Sequence, residues 1–562
     1  MAKNIEHSID LPTDLPTQST DLLTRSTDLQ TQHPHSTDLQ TRTNDLPNEP
    51  PKNYIVLNEA QNRACTRLNK FLDSTKNNEF ILLGPAGSGK TTVIVNVFNN
   101  KPINVAFCAF TNKATQVLKK IADKFQLNFV ADFMTIHTLL RLEQKYLDNE
   151  REITFSFDKN KIAYLQKYQI LIFDECSTIS NDLYTYIRQT QEYLSFINHP
   201  IKIIFLGDFW QLPPVGEDKS VIFEMCKLEN WKISKLEKVL RCSTTSMQQI
   251  NEIMLDYIVR FKNAEVDDFT NKYPYNLVPK NIGTYLPMTK FLDEFLNTWQ
   301  TKTPDTIILT YSKKNCENTN HEIQDRIDAI NNRDIPQSRN SIIFHVGDRC
   351  CIDRPITLFS IERKKKKISV NPLTGEIKSN GVAGASGVAG SAIYEKDTVS
   401  LKEPLDVTLY NGEIFDIIKV ENVSIVTALN KFTYMPKTFD GQILTISRIN
   451  DASVIYDILH IPAPTINAAR ILIKKHERRI FYLNTMSDFI NKYPHLNYGY
   501  CITIYKSQGS EWDTVFVNLN SIKWSIIGKG YAAEYKKKVQ LFKSTYTAIS
   551  RASKKIICLW TH

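Results

Sequence analysis

At 562 residues, with 42% hydrophobic and 10% aromatic side chains, the chain has length for three or four domains and the composition of globular cores. It has no run near the roughly 18 apolar residues of a membrane span, and Met1–Asp10 has no apolar signal core, which speaks against membrane and secreted classes. The net charge of +9 is uneven: residues 1–50 hold three basic and eight acidic side chains against 66 and 52 in the remainder, −5 against +14, so the body suits a polyanionic partner. The ten cysteines form no CxxC pair and no zinc-like cluster, as in a reducing, intracellular protein (nuclear or cytoplasmic, or in a nucleoid) without a structural metal.

Residues 13–46 repeat Thr-Asp-Leu at 13–15, 20–22, 27–29 and 37–39, then Asn-Asp-Leu at 44–46. Prolines interrupt the repeat and a second apolar position is missing, so residues 1–52 are expected to be a disordered tail rather than a coiled coil. A docking peptide for partner proteins is the sharper reading of the same repeat.

Leu57–Gln61 opens an amphipathic helix. Phe80–Leu83 is a short apolar run typical of a buried parallel strand, and it runs into Gly84-Pro85-Ala86-Gly87-Ser88-Gly89-Lys90-Thr91, an ungapped G-x-x-x-x-G-K-[ST]. Glycines let the backbone curl so that its N–H groups point inward, an anion nest at the start of the next helix. Lys90 then reaches the β- and γ-phosphates, and the Thr91 hydroxyl is a ligand for Mg²⁺, with Thr92 beside it. The pattern predicts nucleoside triphosphate binding.

Further strands are expected at Val105–Phe110, Gln169–Phe173 and Lys202–Leu206, with helices at Asn112–Lys124 and Asn181–Ile197. Alternation of this kind predicts a doubly wound parallel sheet, closing near Val239, with functional residues at strand C-termini. Asp174-Glu175 ends one strand: Asp174 would hold Mg²⁺ and Glu175 would orient and deprotonate the attacking water. Gln211, after the next strand, is placed to sense the γ-phosphate. Trp210 beside it either stacks on a ligand or packs in the core. Lys145–Ser156 reads as a β-hairpin projecting from this unit, within 140–165.

A second α/β unit starts with strand Thr306–Tyr311 and helix Lys313–Ile330. It is interrupted over 345–490 by β-rich segments, a basic run Arg363–Lys367 and a Gly/Ala/Ser stretch read as a long flexible loop. Strand Tyr500–Ile504 resumes the unit, which ends with a helix through Tyr546–Arg551 and strand Lys555–Trp560.

Nine blocks between about 57 and 562 together resemble superfamily 1B DNA helicases of the Dda-like and RecD-like kind: QNRA, GPAGSGKTT, AFTNKAT, TIHTLL, IFDECS, GDFWQLPPV, LEKVLRCS, TIYKSQGSEWDTV and YTAISRA. The resemblance implies two RecA-like P-loop domains with ATP between them, at 53–240 and at 241–344 plus 491–562. It makes the hairpin a strand-splitting pin and 345–490 a small SH3-like β-barrel. It places Gln61 on adenine, Gln508 and Gly509 at the nucleotide, and Arg241 and Arg551 on the γ-phosphate. It places Phe110, Thr111, Asn112, Thr135, His137, Thr503, Tyr505, Lys506 and Ser507 along a groove for single-stranded DNA. Relatives often carry His where this chain has Tyr505, which cannot be charged near neutrality. His137 is open between groove and core, and Tyr146 and Phe155 between stacking on the opening base pair and packing the hairpin. The basic run is open between a solvated loop, a nucleic-acid contact and a nuclear signal.

The activity implied is an Mg-ATP-dependent DNA helicase, a monomer moving 5′ to 3′ on single-stranded DNA and unwinding duplexes in replication, recombination or repair. The alternatives are a single-strand translocase that strips proteins without separating strands, an RNA helicase, and a scaffold with a relic nucleotide site.

Overall fold

The computed structural model describes residues 57–561 apart from 100, 111, 125–128, 147–152, 228–230, 241–243, 302–304, 335–341, 354–355, 371–376, 379–392, 410–411, 428, 430–431, 450, 477–491, 494–495 and 529–532. The expected disordered tail, with its repeats, lies outside the described residues, as do Thr111 and Arg241.

The chain enters through helix Glu59–Asp73, opened by a capping box: Asn58 Oδ1 accepts from Gln61 N, and Gln61 Oε1 accepts from Asn58 N. Strands β1 (Glu79–Leu83), β2 (Asn104–Ala109) and β3 (Val130–Thr135) follow, then the hairpin β4 (Glu143–Tyr146) and β5 (Ile153–Ser156). Strands β6 (Ile170–Phe173), β7 (Lys202–Gly207) and β8 (Trp231–Lys235) complete a six-stranded parallel sheet in the order β3-β2-β6-β7-β1-β8. EFILL, ILIF and KIIFLG are near-continuous apolar runs because helices cover both faces of the sheet.

Strands β9 (Thr284–Leu286) and β10 (Thr306–Thr310) start the second unit, and helix Lys313–Ile330 leads out of it. An eight-stranded mixed sheet is then inserted: β11 (Arg349–Ile352), β12 (Ile356–Val370), β13 (Ile377–Lys378), β14 (Ile393–Leu409), β15 (Ile414–Ile425), β16 (Phe439–Arg448), β17 (Asp451–His460) and β18 (Leu496–Tyr498). The chain returns through β19 (Cys501–Thr503), β20 (Trp512–Asn518) and β21 (Ala552–Leu559), giving a five-stranded parallel sheet in the order β19-β10-β20-β21-β9.

Two expectations need correction. The basic run Arg363–Lys367 is on strand β12, paired residue for residue with Val399–Glu395 of β14, and is not a loop. The insertion also extends past 490, because Leu496–Tyr498 pairs antiparallel with β11, and only Cys501–Thr503 rejoins the parallel sheet. Three-residue strands are too short to carry a period, so these two read as one. Strands β3, β8 and β9 have no counterpart in the sequence reading. No described helix is long and apolar enough to cross a membrane, and the described cysteines are free thiols.

The two parallel units are stitched together by the segment after β7. Trp210 and Leu212 are buried in the second unit's core, with the Trp210 ring 5.6 Å from Phe542 and 5.9 Å from Phe261. That resolves Trp210 as core packing.

Candidate active site and groove

The loop Gly84–Gly89 joins β1 to helix Lys90–Phe98. Gly89 is in the left-handed region at φ 82°, and a Cβ there would come within 2.4 Å of Gln61 Nε2, so both conformation and space demand glycine. Lys90 Nζ donates to the carbonyls of Gly84 (2.7 Å) and Pro85 (3.1 Å), holding its charge over the loop. Gln61, expected at adenine, lies against the loop: its Nε2 donates to Ser88 O at 3.2 Å while its Oε1 serves the capping box. Ser88 Oγ is buried with no hydrogen-bond partner among the described residues.

One cleft brings together Ala86, Gly87, Gly89, Lys90, Thr91 and Thr92 of this loop and helix, Asp174 and Glu175 after β6, and Gly509 and Arg551 of the second unit. Asp174 N donates to Cys108 O (2.7 Å), so ladder hydrogen bonding continues to the strand end, and Asp174 Oδ1 accepts from Glu175 N at 2.9 Å. Glu175 has φ 54°, ψ 45°, a left-handed conformation costly for a side chain with a Cβ; observed backbone strain of this kind clusters at functional positions. Behind it, a Cβ at Gly207 would strike Cys176 Sγ at 2.3 Å, so β7 approaches this turn as closely as glycine permits.

Gln211 links the two units. In the amide orientation that satisfies both neighbours, its nitrogen donates to Glu175 Oε2 (3.1 Å) and its oxygen accepts from Arg551 Nη2 (3.2 Å). Arg551 is only 2% exposed, and its other guanidinium hydrogens go to Thr547 O (3.1 Å), Ser510 O (3.4 Å) and Ser550 Oγ (3.0 Å). A buried guanidinium needs such partners to offset desolvation. Gln508, expected at the nucleotide, donates from Nε2 to Leu212 O at 3.1 Å.

The groove residues fall on two similar devices. At the edge of the first sheet, β3 ends in Thr135, which caps the short helix Ile136–Leu139 by accepting from Thr138 N (3.1 Å). At the edge of the second, β19 ends in Thr503, which caps Ile504–Ser507 by accepting from Lys506 N (3.4 Å). On the first device, half-exposed Phe110 meets His137 edge to face at 5.5 Å. Burial pulls His137 down to about 4, so it is a neutral ring at working pH. On the second, Tyr505 packs against the core, and burial with Tyr311 nearby pushes it up to about 12. Lys506 pairs with Asp353 at 2.8 Å, and Ser507 Oγ donates to Ile504 O at 2.7 Å. Asn112 begins its helix, and Tyr146 and Phe155 are on β4 and β5 opposite Ile153 and Gln144; the side chains of these three lie outside the described residues.

Two buried residues at the join had no role assigned from the sequence, Asp208 and Tyr546. Both stand in quoted blocks, GDFWQLPPV and YTAISRA, but only the fold places one against the other.

Residues 69–217 match the family model described as an AAA domain. Over 168 residues the chain is 33% identical to the RecBCD enzyme subunit RecD of Buchnera aphidicola (Schizaphis graminum), 27% of this chain and 25% of that subunit. The chain carries an AAA domain and is a distant relative of RecD subunits. It is an ATP-hydrolysing P-loop enzyme, and the cleft between its parallel sheets is lined by the phosphate loop. The chain is also 23% identical over 540 residues to the uncharacterised protein R530 of Acanthamoeba polyphaga mimivirus, covering 89% of this chain and 99% of that one. Among solved structures, the Pif1 helicase from Candida albicans aligns at 14% identity and a TM-score of 0.42, covering 91% of this chain and 95% of that one.

Proposed function

We propose that this chain is a helicase that moves 5′ to 3′ on single-stranded DNA and opens duplexes, driven by Mg-ATP hydrolysis between its two parallel sheets. The observation that carries the reading is the Glu175–Gln211–Arg551 relay, which joins a carboxylate on one unit to a buried arginine on the other. Glu175 takes the proton of the water that attacks the γ-phosphorus as the bond to the β-phosphate oxygen breaks. Lys90 and Arg551 place positive charge where the transferring phosphoryl develops negative charge. Gln211 loses one partner when the γ-phosphate leaves, which suits a sensor. Arg241 would add a second cation.

The donor set fits Mg²⁺: the Thr91 hydroxyl and Asp174 carboxylate are hard oxygens lining the same cleft, and the cation would shield phosphate charge between them. Two protein ligands suffice, because Mg²⁺ takes the rest of its shell from phosphate and water.

DNA is the substrate expected for a RecD-like chain, and the two threonine-capped devices supply hydroxyls, backbone N–H groups and the Phe110–His137 face for contacts without sequence readout. We read the β4–β5 hairpin as the pin and the mixed sheet as the family's SH3-like domain. Each step has to offset about 1.4 kcal/mol of stacking per base pair.

The test is ATP hydrolysis with and without single-stranded DNA or RNA, run beside unwinding of duplexes with a 5′ or a 3′ overhang. Strong DNA stimulation with opening of only the 5′-tailed duplex is expected. Stimulation without opening would leave a translocase, and stimulation by RNA alone would overturn the substrate.

A further inference from the structure

Tyr546 belongs to helix Glu534–Ile549, which ends two residues before Arg551, and it is 3% exposed. Its hydroxyl sits at the junction of the two units. It donates to Asp208 Oδ2 at 2.6 Å. Asp208, just past β7 and itself buried, accepts from Trp210 N through Oδ1 at 3.0 Å and so fixes the turn that presents Gln211. One residue along the same helix, Thr547 Oγ1 accepts from Leu212 N at 3.0 Å, and the carbonyl of Thr547 holds Arg551 Nε at 3.1 Å.

A phenol has one proton to donate. Here that proton is committed to a buried carboxylate, which needs it. Burial and the Asp208 charge push the phenol's titration far upward, so the proton stays. The Gln211 turn and the arginine helix therefore meet at a single hydrogen bond. A shift of the helix of a few tenths of an ångström must be followed by the turn or break that bond.

We propose that Tyr546 is a positioning residue for ATP turnover: through Asp208 its hydroxyl couples the helix that aims Arg551 to the turn that aims Gln211. The proposal rests on the reading of Arg551 and Gln211 given above. It differs from interdomain adhesion, which would contribute stability without selecting the chemical step.

The experiment compares the full-length protein with Tyr546→Phe and Asp208→Asn in steady-state ATP hydrolysis with and without oligonucleotide, alongside binding of a fluorescent ATP analogue and thermal melting. Phenylalanine keeps the ring, which stacks on Phe542 at 5.9 Å, and removes only the hydroxyl. In both variants kcat is expected to fall about 10- to 100-fold, with KM and analogue affinity within about threefold of wild type, the signature of an interaction used in the transition state. A Tyr546→Phe kcat within about twofold of wild type overturns the proposal, as does a rise in KM at constant kcat. If Tyr546→Phe does not fold, Asp208→Asn decides alone by the same split. Failure of the DNA reading would be seen separately, as wild-type turnover indifferent to nucleic acid, and the kcat comparison would then be made on the unstimulated rate.

Discussion

The two walls of the nucleotide cleft are built on different principles. The loop wall is local: eight consecutive residues supply backbone donors and Lys90, and it is braced from outside by Gln61 against Ser88 O and Leu240 N against Gly87 O. The far wall is assembled at a distance. Arg551 is held by carbonyls of Ser510 and Thr547, is reached through Gln211 from the other unit, and is as buried as a core phenylalanine. A backbone nest binds phosphate whether or not the domains close, whereas a side chain delivered from a second domain acts only in the closed arrangement. Binding should therefore follow the first wall and turnover the second.

The sharpest way to break that division is Arg551→Ala. Loss of a transition-state arginine is expected to lower turnover by about 10³- to 10⁵-fold, while a fluorescent ATP analogue still binds within several-fold of wild type. Equal loss of both would mean that the far wall binds nucleotide as much as it turns it over. Glu175→Gln is the next largest change. Removing the general base should cost about 10²- to 10⁴-fold in single-turnover rate, with analogue binding retained, because Glu175 contributes no donor to the nest. The amide keeps the size of the carboxylate, so a fall in melting temperature of more than a few degrees would mark Glu175 as a structural member of the relay.

The same division explains what was legible in the sequence. The loop wall was readable because its chemistry and its chain order coincide: Gly84–Thr91 is a contiguous pattern, and β1, β6 and β7 are apolar runs that burial on both faces demands. Asp174, Glu175 and Gln211 were readable from their places at strand ends. The hydrogen bonds that hold Gln508 on Leu212 O and Gln61 on Ser88 O were not legible, because residues in a matching block differ in which partner they turn toward. The insertion was poorly legible, since β12 and β14 carry a lysine run and acidic partners in place of an apolar alternation, and β18 is three residues long. Tyr546 and Asp208 stand in two of the quoted blocks, but their pairing is a property of segments 338 residues apart.

The smallest predicted effect is one of stability and tests the far wall from inside. Lys543, one turn before Tyr546, is 4% exposed and has its ammonium 4.4 Å from the Phe209 ring centre. Burial pulls it from 10.5 down to about 8, and the carboxylates of Asp208 and Asp218 only partly oppose that, with Lys219 adding to it. Its folded value is thus below its unfolded one. Between about pH 8 and 10.5 the unfolded chain holds a proton that the native chain has shed, so stability rises with pH through that window and the burdened state is the low-pH one. Asp208 is displaced the other way, raised by burial, but its window is acidic and does not overlap. The full span corresponds to roughly 3 kcal/mol. Urea unfolding at pH 8 and pH 10 should show the wild type gaining about 1–2 kcal/mol relative to Lys543→Met, whose side chain fills similar space without titrating. Parallel slopes for the two proteins would mean that Lys543 keeps its ordinary affinity for protons, and that the far wall tolerates a full charge beside Phe209 where the loop wall keeps its lysine on backbone carbonyls.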